Sequence, residues 1–273
     1  MRMASRVVMT LALSLAALPA LANDLERLQA LSVGAHRSAA NIARNEYRHP
    51  VETLSFFGLQ SGMTVIEILP GGGWYTEILA PFLKGNGTYY AAHFSENPPL
   101  SYMRPNLEQF KARLAADPEI YGETILTHLN PPSETAIAPP GSADLAMTFR
   151  NVHNWVMAGT QHEFFAAFFT ALKPGGVLGV VEHRAPPGSS MEFMQTSGYV
   201  TQDYVIELAQ QAGFEFVAAA EINANPLDTK DYAEGVWTLP PTLQLGEQDR
   251  ARYLAIGESD RMTLKFVKPA DRN

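Results

Sequence analysis

The chain has 273 residues, of which 28 are acidic and 20 are basic, so its formal net charge is −8 at pH 7. A negative chain without a basic run is not expected to bind nucleic acid or anionic membrane surfaces. The chain has no cysteine, which excludes disulfides, thiolate metal ligands, a cysteine nucleophile and a lipidated cysteine at the start.

The first 22 residues have the pattern of a secretory signal peptide. Arg2 and Arg6 precede the apolar run Val7–Leu18, and small residues at Ala20 and Ala22 suit a cleavage site. The apolar run is too short to cross a bilayer. We therefore expect cleavage after Ala22 and a periplasmic or secreted protein without stable membrane insertion. An uncleaved N-terminal helix or a different start codon is the alternative.

Residues 23–60 are predicted to form N-terminal helices that pack on a main domain at 61–273. One polar helix is expected over His36–Arg48, and a second begins at Pro50, a residue that the first helical position tolerates. The first helix carries three arginines: Arg37, Arg44 and Arg48. They could cover an anionic substrate or simply offset acidic neighbours.

The main domain alternates strand and helix patterns. Seven apolar runs predict strands: Thr64–Leu69, Thr88–His93, Thr124–His128, Leu145–Phe149, Val177–Glu182, Phe214–Ala220 and Met262–Val267. Helices are predicted between most of them: Trp74–Leu83, Leu100–Ala115, Gln161–Leu172 and Thr201–Gln211. The alternation predicts an α/β fold, with a parallel sheet covered by helices on both faces. Ligands of such sheets bind where the strand order reverses, which would be beside the first strand.

A glycine turn follows the first strand. The acidic residue Glu67 lies in that strand, and Gly71, Gly72 and Gly73 follow it directly before a helix. A turn without side chains lets a ligand approach the backbone, and the helix N-terminus offers N–H donors. The carboxylate of Glu67 favours hydroxyl or ammonium groups over phosphate. A glycine-rich turn that binds no ligand is the alternative.

Four segments in order resemble motifs of the class I S-adenosylmethionine-dependent methyltransferases. The glycine turn matches the first motif at Glu67, Gly71 and Gly73, although Leu69 stands where the family usually has its first glycine. The other three segments are Ala143–Phe149, Leu172–Val181 and Val200–Phe216. The resemblance covers about residues 50–269. The segments PGGGWY, RNVHNW and NANP are also similar to those of a group of exported predicted methyltransferases.

The resemblance implies a Rossmann-like seven-stranded sheet, mostly parallel, with an antiparallel last strand. It also implies S-adenosylmethionine as cofactor, a small-molecule substrate and methyl transfer. The cofactor-binding residues would be Glu67, Gly71, Gly72, Gly73, His93, His128 and Asn151. At the ends of the second and third strands the family usually has acidic residues, whereas this chain has His93 and His128. A neutral imidazole makes a weaker, single contact with a hydroxyl or ring nitrogen.

The loop after the fourth strand is the candidate for catalysis. It places Arg150, Asn151, His153 and Asn154 where the resembled family has substrate-facing residues. A histidine is the natural proton acceptor if the methyl acceptor must lose a proton. We therefore predict Arg150, His153 and His183 as catalytic residues. A loop whose polar groups only cap the next helix is the alternative.

Four histidines end predicted strands and invite a second interpretation, in which the methyltransferase fold no longer transfers methyl groups. His93, His153 and His183, with Glu67 or Glu182, could then bind a metal, or the crevice could bind another ligand. No ligand spacing in the sequence specifies a metal, so no metal is assigned.

The segment 221–260, between the last two strands, is long and polar. Loops of this length are commonly functional, so a lid or a wall of the substrate site is expected. Asn223, Asn225 and Arg261 could recognise a polar molecule. An inert surface excursion is the alternative.

Overall fold

The computed structural model describes residues 12–270, with side chains from residue 22 onward. Its strands are β1 Thr64–Ile68, β2 Thr88–His93, β3 Ile125–His128, β4 Ala143–Phe149, β5 Leu172–His183, β6 Glu215–Ala220 and β7 Arg261–Val267. Its helices are α1 Ala12–Ser32, α2 Ala39–Ala43, α3 Asn45–Arg48, α4 Pro50–Phe57, α5 Thr76–Leu83, α6 Met103–Ala116, α7 Pro118–Tyr121, α8 Val152–Ala158, α9 Gln161–Ala171, α10 Met191–Ser197, α11 Gln202–Gln211 and α12 Arg250–Ile256. A short 3-10 helix spans Gly235–Thr238.

The strands form one sheet in the order β3-β2-β1-β4-β5-β7-β6. All neighbouring pairs from β3 to β5 are parallel, whereas β7 is antiparallel to both β5 and β6. The predicted fold class is therefore confirmed, including the antiparallel last strand. The chain leaves β1 towards β2 and later returns to its other side at β4, which puts the reversal of strand order between β1 and β4.

Two apolar layers, one on each face, cover the sheet. One contains the aromatic stripe of α9 with Phe165 and Phe168, both fully buried. The other contains Leu54 from α4 and Phe82 from α5. Burial on both faces explains why β1 and β4 are largely apolar and do not alternate between apolar and polar residues.

The helix predicted over His36–Arg48 is divided in two by the structure. The hydroxyl of Ser38 caps the start of α2, and Arg44 is the C-cap that separates α2 from α3. The C-cap of α3 is His49, which has a left-handed conformation with φ 37°. The break lets the side chains of Arg44 and Arg48 reach one carboxylate, that of Glu258. A periodic sequence pattern could not show this tertiary contact.

The described residues begin with α1, so residues 1–11 of the predicted signal peptide lie outside them. Helix α1 is continuous across the predicted cleavage position after Ala22. Its C-terminal half packs on the domain, since Leu28 is buried beside α4 and α5. Among residues 12–270, no helix has the length and apolar character needed to span a membrane.

Candidate active site

Two residues at the reversal point have an unusual backbone. Leu69 after β1 has φ 47°, and Arg150 after β4 has φ 62°, a left-handed conformation that is uncommon for non-glycine residues. The side chain of Asn151 joins the two strand ends, because its Nδ2 donates to the carbonyl of Ile68 at 3.0 Å and to the hydroxyl of Thr148 at 3.1 Å. Such strained positions cluster at functional sites in proteins.

The glycine turn leaves open space above its first two residues. A Cβ atom placed on Gly71 or Gly72 would meet nothing within 4 Å, whereas one on Gly73 would lie 3.2 Å from the side chains of Phe110 and Arg113. Tyr75 does not fill this space, since its ring stacks on Phe149 with a centroid distance of 3.6 Å. The turn is therefore accessible to a ligand at Gly71 and Gly72.

Glu67 lies beneath the turn and not beside the open space. Its Oε2 accepts hydrogen bonds from the hydroxyl of Thr76, at 2.8 Å, and from the hydroxyl of Tyr89. Burial raises its pKa to about 7, although these hydrogen bonds oppose the shift. Glu67 thus joins β1 to the start of α5 and to β2.

The two histidines at the ends of β2 and β3 are bound to the backbone. His93 is fully buried; its Nδ1 accepts the N–H of Phe94 at 2.8 Å, so its Nε2 carries the proton and donates to the carbonyl of Gly71 at 3.1 Å. His128 Nδ1 is 2.7 Å from the carbonyl of Phe94. Burial lowers the pKa of His93 to about 4, which keeps it neutral.

A polar cavity of about 400 Å³ opens over β1, β4 and β5. We call it the cationic cavity; its lining includes Asn41, Arg44, Arg48, Leu69, Gly71, Gly72, Trp74, Arg113, Arg150, Asn151, His153, His183, Val236, Trp237 and Pro240–Thr242. All three predicted catalytic residues, two of the three glycines and Asn151 therefore meet here. Glu67, Gly73, His93 and His128 do not line it, so their contact with a cofactor stays a prediction.

One carboxylate organises the arginines on one side of the cationic cavity. Glu258 lies 2.6 Å from Nε of Arg44, 3.2 Å from Nε of Arg48 and 3.1 Å from a terminal nitrogen of Arg261. Burial alone would raise the pKa of Glu258, but these arginines and Arg150 lower it to about 2. Glu258 is therefore ionised at any physiological pH.

Trp74 separates this arginine group from a second one. The guanidinium carbons of Arg37 and Arg48 lie 4.6 and 4.7 Å from the centre of its ring system, a cation–π distance. Arg37 and Arg113 both pair with Glu77. The arginines predicted on the early helix thus pair with acidic neighbours, and two of them, Arg44 and Arg48, also line the cavity.

Arg150 differs from its neighbours, because its guanidinium makes no hydrogen bond or ion pair to any residue of the described chain. Only its backbone is tied, through an N–H donated to the carbonyl of Val181 at 2.7 Å. Burial lowers its pKa to about 10, with Glu258 opposing the shift, so it remains charged at neutral pH.

His153 and Glu182 form a buried dyad at the wall of the cationic cavity. Glu182 accepts three N–H groups, from Nδ1 of His153 at 3.0 Å, from the backbone of His153 at 3.1 Å and from that of His183 at 2.6 Å. A carboxylate that accepts three donors fixes the Nδ1–H tautomer of His153 and leaves its Nε2 unprotonated in the neutral ring. Nε2 makes no hydrogen bond to the described residues.

His183 completes a cluster with this dyad. One potential ligand atom from each of His153, Glu182 and His183 lies within 4.8 Å of the others, so these three residues could hold a metal ion. His93 is not part of this group, which corrects the metal set that the sequence suggested. The pKa of His183 is lowered well below its ordinary value, first by burial and then by His153 and nearby arginines.

A second cavity, of about 430 Å³, adjoins the first over the ends of β2 and β3. We call it the apolar cavity; its lining includes Leu69, Phe94, Ser95, Pro98–Leu100, Tyr102, Met103, Leu129–Pro131, Asn151, Asn154, Trp155, Met157, Ala158 and Phe164. Leu69 and Asn151 line both cavities. The sequence patterns did not identify this cavity, because its apolar residues are indistinguishable from core residues before folding.

The segment 221–260 contributes a wall to the cationic cavity through Val236, Trp237 and Pro240–Thr242. Its two predicted ligand-binding asparagines form hydrogen bonds with other residues of the chain. Asn223 donates to the hydroxyls of Thr53 and Thr263, and Asn225 donates to the carbonyls of Ile256 and Glu258. The contact from Asn225 holds the backbone of Glu258, whose carboxylate organises the arginines and to which the sequence pattern assigned no role.

No protein-family model matches this sequence, and a search of curated proteins finds no match. Solved structures are similar in fold. A methyltransferase dependent on S-adenosylmethionine from Aquifex aeolicus is 14% identical with a TM-score of 0.54, over 89% of this chain and 98% of that one. Geranyl diphosphate methyltransferase, solved with S-adenosylmethionine, is 12% identical with a TM-score of 0.55, over 88% and 94%.

A third similar structure, the cyclase SpnF, is 14% identical with a TM-score of 0.55, over 92% of this chain and 95% of that one. The chain has the fold of the class I S-adenosylmethionine-dependent methyltransferases, as its motifs indicated. Because one fold hosts several reactions, the activity must be argued from the cavities.

Proposed function

We propose that the protein is an exported S-adenosylmethionine-dependent methyltransferase that acts on a small molecule. The observation that carries the proposal is the open space at Gly71 and Gly72, at the reversal point of a methyltransferase fold. Ligands of open α/β sheets bind there, beyond the carboxyl ends of the strands.

The residues present fit this cofactor. Each cavity is within the size range of ligand sites, roughly 300–1,000 Å³, and the two meet at Leu69 and Asn151. The apolar cavity suits a nucleobase, with Phe94 and Tyr102 among its aromatic residues, and the cationic cavity suits a carboxylate. Because His93 already uses both ring nitrogens, ribose contacts would have to come from other polar groups of the apolar cavity, such as Ser95 and Asn130.

When bound, S-adenosylmethionine supplies an electrophilic methyl group on a positively charged sulfur. Nε2 of His153 is free to accept a proton from a hydroxyl or ammonium group in the cationic cavity. Glu182 holds the ring in place and stabilises the imidazolium that results. Trp237 lines the same cavity, with its ring centre 6.1 Å from that of His153.

Titration calorimetry with S-adenosylhomocysteine tests cofactor binding directly. We expect micromolar affinity for the chain from Asn23 onward, and at least about a tenfold loss in Gly72→Leu, because its side chain would enter the open space. Gly62→Leu is the matched control, since Gly62 is equally exposed, also has nothing within 4 Å and lies away from both cavities. Equal affinity in both variants would refute the proposal.

Export is tested separately by the N-terminal sequence of the protein recovered from the periplasm. We expect it to begin at Asn23. An intact N-terminus in the cytoplasmic fraction would remove export from the proposal without affecting the cofactor site.

The His153–Glu182–His183 cluster supports a second candidate, a metal-binding protein of the same fold. Elemental analysis of protein purified without chelators distinguishes the two. Stoichiometric zinc, iron or manganese that disappears in His183→Gln, together with no binding of S-adenosylhomocysteine, would favour this candidate over the first.

A further inference from the structure

We propose that the methyl acceptor is itself an anion, a small carboxylate or phosphate compound whose charged group binds Arg150 and Arg48 in the cationic cavity. This inference rests on the proposed methyltransferase function and names the class of substrate for the same site.

The charges around the cationic cavity do not balance. Six arginines lie in or next to its wall: Arg37, Arg44, Arg48, Arg113, Arg150 and Arg261. Three carboxylates accompany them: Glu77, Glu182 and Glu258. The excess of three positive charges occurs in a chain whose net charge is negative. Clustered positive charge in a low-dielectric site is costly unless a negative charge enters it.

Several donors of these arginines also lack acceptors. The Nη2 atoms of Arg44 and Arg48 are buried without a hydrogen-bond partner among the described residues. Arg48 is only 2% exposed, and its pKa is lowered, first by burial and then by the neighbouring Arg150. Arg150 has no side-chain partner at all in the described chain. An oxyanion would satisfy such donors, and arginine binds carboxylate and phosphate in a bidentate geometry.

The cofactor alone does not supply this negative charge. S-adenosylmethionine carries one carboxylate, one ammonium and one sulfonium, so its net charge is positive. Its binding would increase the imbalance in the cavity. An acceptor with one or two negative charges would reduce the excess of positive charge in the cavity. Binding of the acceptor should therefore raise the affinity for the cofactor, and binding of the cofactor should raise the affinity for the acceptor.

The acceptor must have two different functional groups, one bound by the arginines and one next to the His153–Glu182 dyad. An oxyanion that is bound by arginines is a poor nucleophile, because its lone pairs are held by the N–H donors. The anionic group is therefore a handle, and the atom that receives the methyl group is a different one, near Nε2 of His153. The cavity volume of about 400 Å³ restricts the acceptor to a small molecule.

Titration calorimetry with inorganic phosphate and with malonate, each with and without saturating S-adenosylhomocysteine, tests the inference. The two probes distinguish phosphate compounds from carboxylates. We expect at least one of them to bind, at equal or higher affinity when S-adenosylhomocysteine is present. In Arg150→Gln its affinity should fall about tenfold or more, the loss of one charge-assisted contact.

Arg104→Gln is the matched control, since Arg104 is an exposed arginine outside both cavities. Arg150→Gln should fold normally because the side chain of Arg150 makes no hydrogen bond or ion pair with the residues that the structure describes, and circular dichroism checks this.

Three results would overturn the inference: no binding of either anion, binding that Arg150→Gln leaves unchanged, or competition between the anion and S-adenosylhomocysteine. Competition would mean that the arginines serve the cofactor carboxylate. In that case the proposed function would stand. If S-adenosylhomocysteine itself does not bind, the proposed function fails, and the acceptor assignment fails with it even where an anion binds.

Discussion

The two cavities share Leu69 and Asn151 but have opposite chemistry. The apolar cavity is built by chain next to β2, β3 and α8, and most of its lining residues are apolar. The cationic cavity is lined by Arg44 next to α2, Arg48 of α3, Arg113 of α6 and Arg150 after β4, which come from separate parts of the sequence. The sheet places both cavities at the carboxyl ends of its strands, whereas side chains from remote parts of the chain give one of them its positive charge.

The largest effect on activity is expected from substitutions in the His153–Glu182 dyad of the cationic cavity. Glu182→Gln should lower kcat about 100-fold or more, because the tautomer of His153 is no longer fixed, while KM changes little. His153→Gln should be at least as severe. Release of S-adenosylhomocysteine measures both, with an acceptor identified among carboxylates and phosphates.

The control for this pair is His162→Gln, which changes an exposed histidine outside both cavities. A pH profile that Glu182→Gln leaves unaltered would contradict the role of the dyad. A structural role alone would lower stability without moving that profile.

The next largest expected effect is that of the protonation of Glu67, beneath the glycine turn, on the free energy of unfolding. The pKa of Glu67 is raised from 4.5 to about 7, so the protonated folded form is favoured and this stability is lost as pH rises towards 7. Between pH 4.5 and 7 the wild type should lose about 3 kcal/mol relative to Glu67→Gln. Denaturant unfolding of both proteins across this range measures the difference.

The matched control is Glu52→Gln, which replaces an exposed carboxylate and is measured in the same way. If the difference in unfolding free energy between the wild type and Glu67→Gln stays constant across this pH range, the pKa of Glu67 does not change on folding.

A smaller effect tests the apolar cavity. Phe94→Ala removes part of its aromatic wall and should weaken adenosine binding by about tenfold, because lost apolar contact costs on the order of 1–2 kcal/mol. Phosphate binding should stay the same. Calorimetry with both ligands measures this, and a parallel loss of phosphate affinity would mean that the cavities do not act separately.

The smallest expected effect is that of salt concentration on the ligand affinities of the two cavities. Raising the salt concentration from about 0.05 M to about 0.5 M should weaken phosphate binding by several-fold and adenosine binding hardly at all, because screening acts on charges. Equal sensitivity of the two ligands would contradict the assignment of charge to one cavity.

Much of the fold could be predicted because its strands, helices and turns follow local sequence patterns. The glycine turn after Glu67 and the apolar strands each depend on neighbouring residues only. The structure brings Arg150, His153 and His183 to one cavity, since parallel strands bring their carboxyl ends to the same edge, and their catalytic roles stay predictions. The sequence pattern could not show that Glu67, His93 and His128 lie outside this cavity, because side-chain direction depends on packing.

The sequence by itself predicted the strands, most of the helices and the glycine turn, because hydrophobic periodicity and turn chemistry act over short distances. The position of the site at one edge of the sheet followed from the alternation of strands and helices, and the antiparallel last strand followed from the resemblance to the methyltransferases. Only the tertiary structure decided that Glu258 gathers three arginines, that the guanidinium of Arg150 has no partner among residues 22–270, and that a separate apolar cavity adjoins them. Those features depend on contacts between residues up to 214 positions apart. No local pattern encodes such contacts, since they form only when the folded chain excludes water from the groups involved.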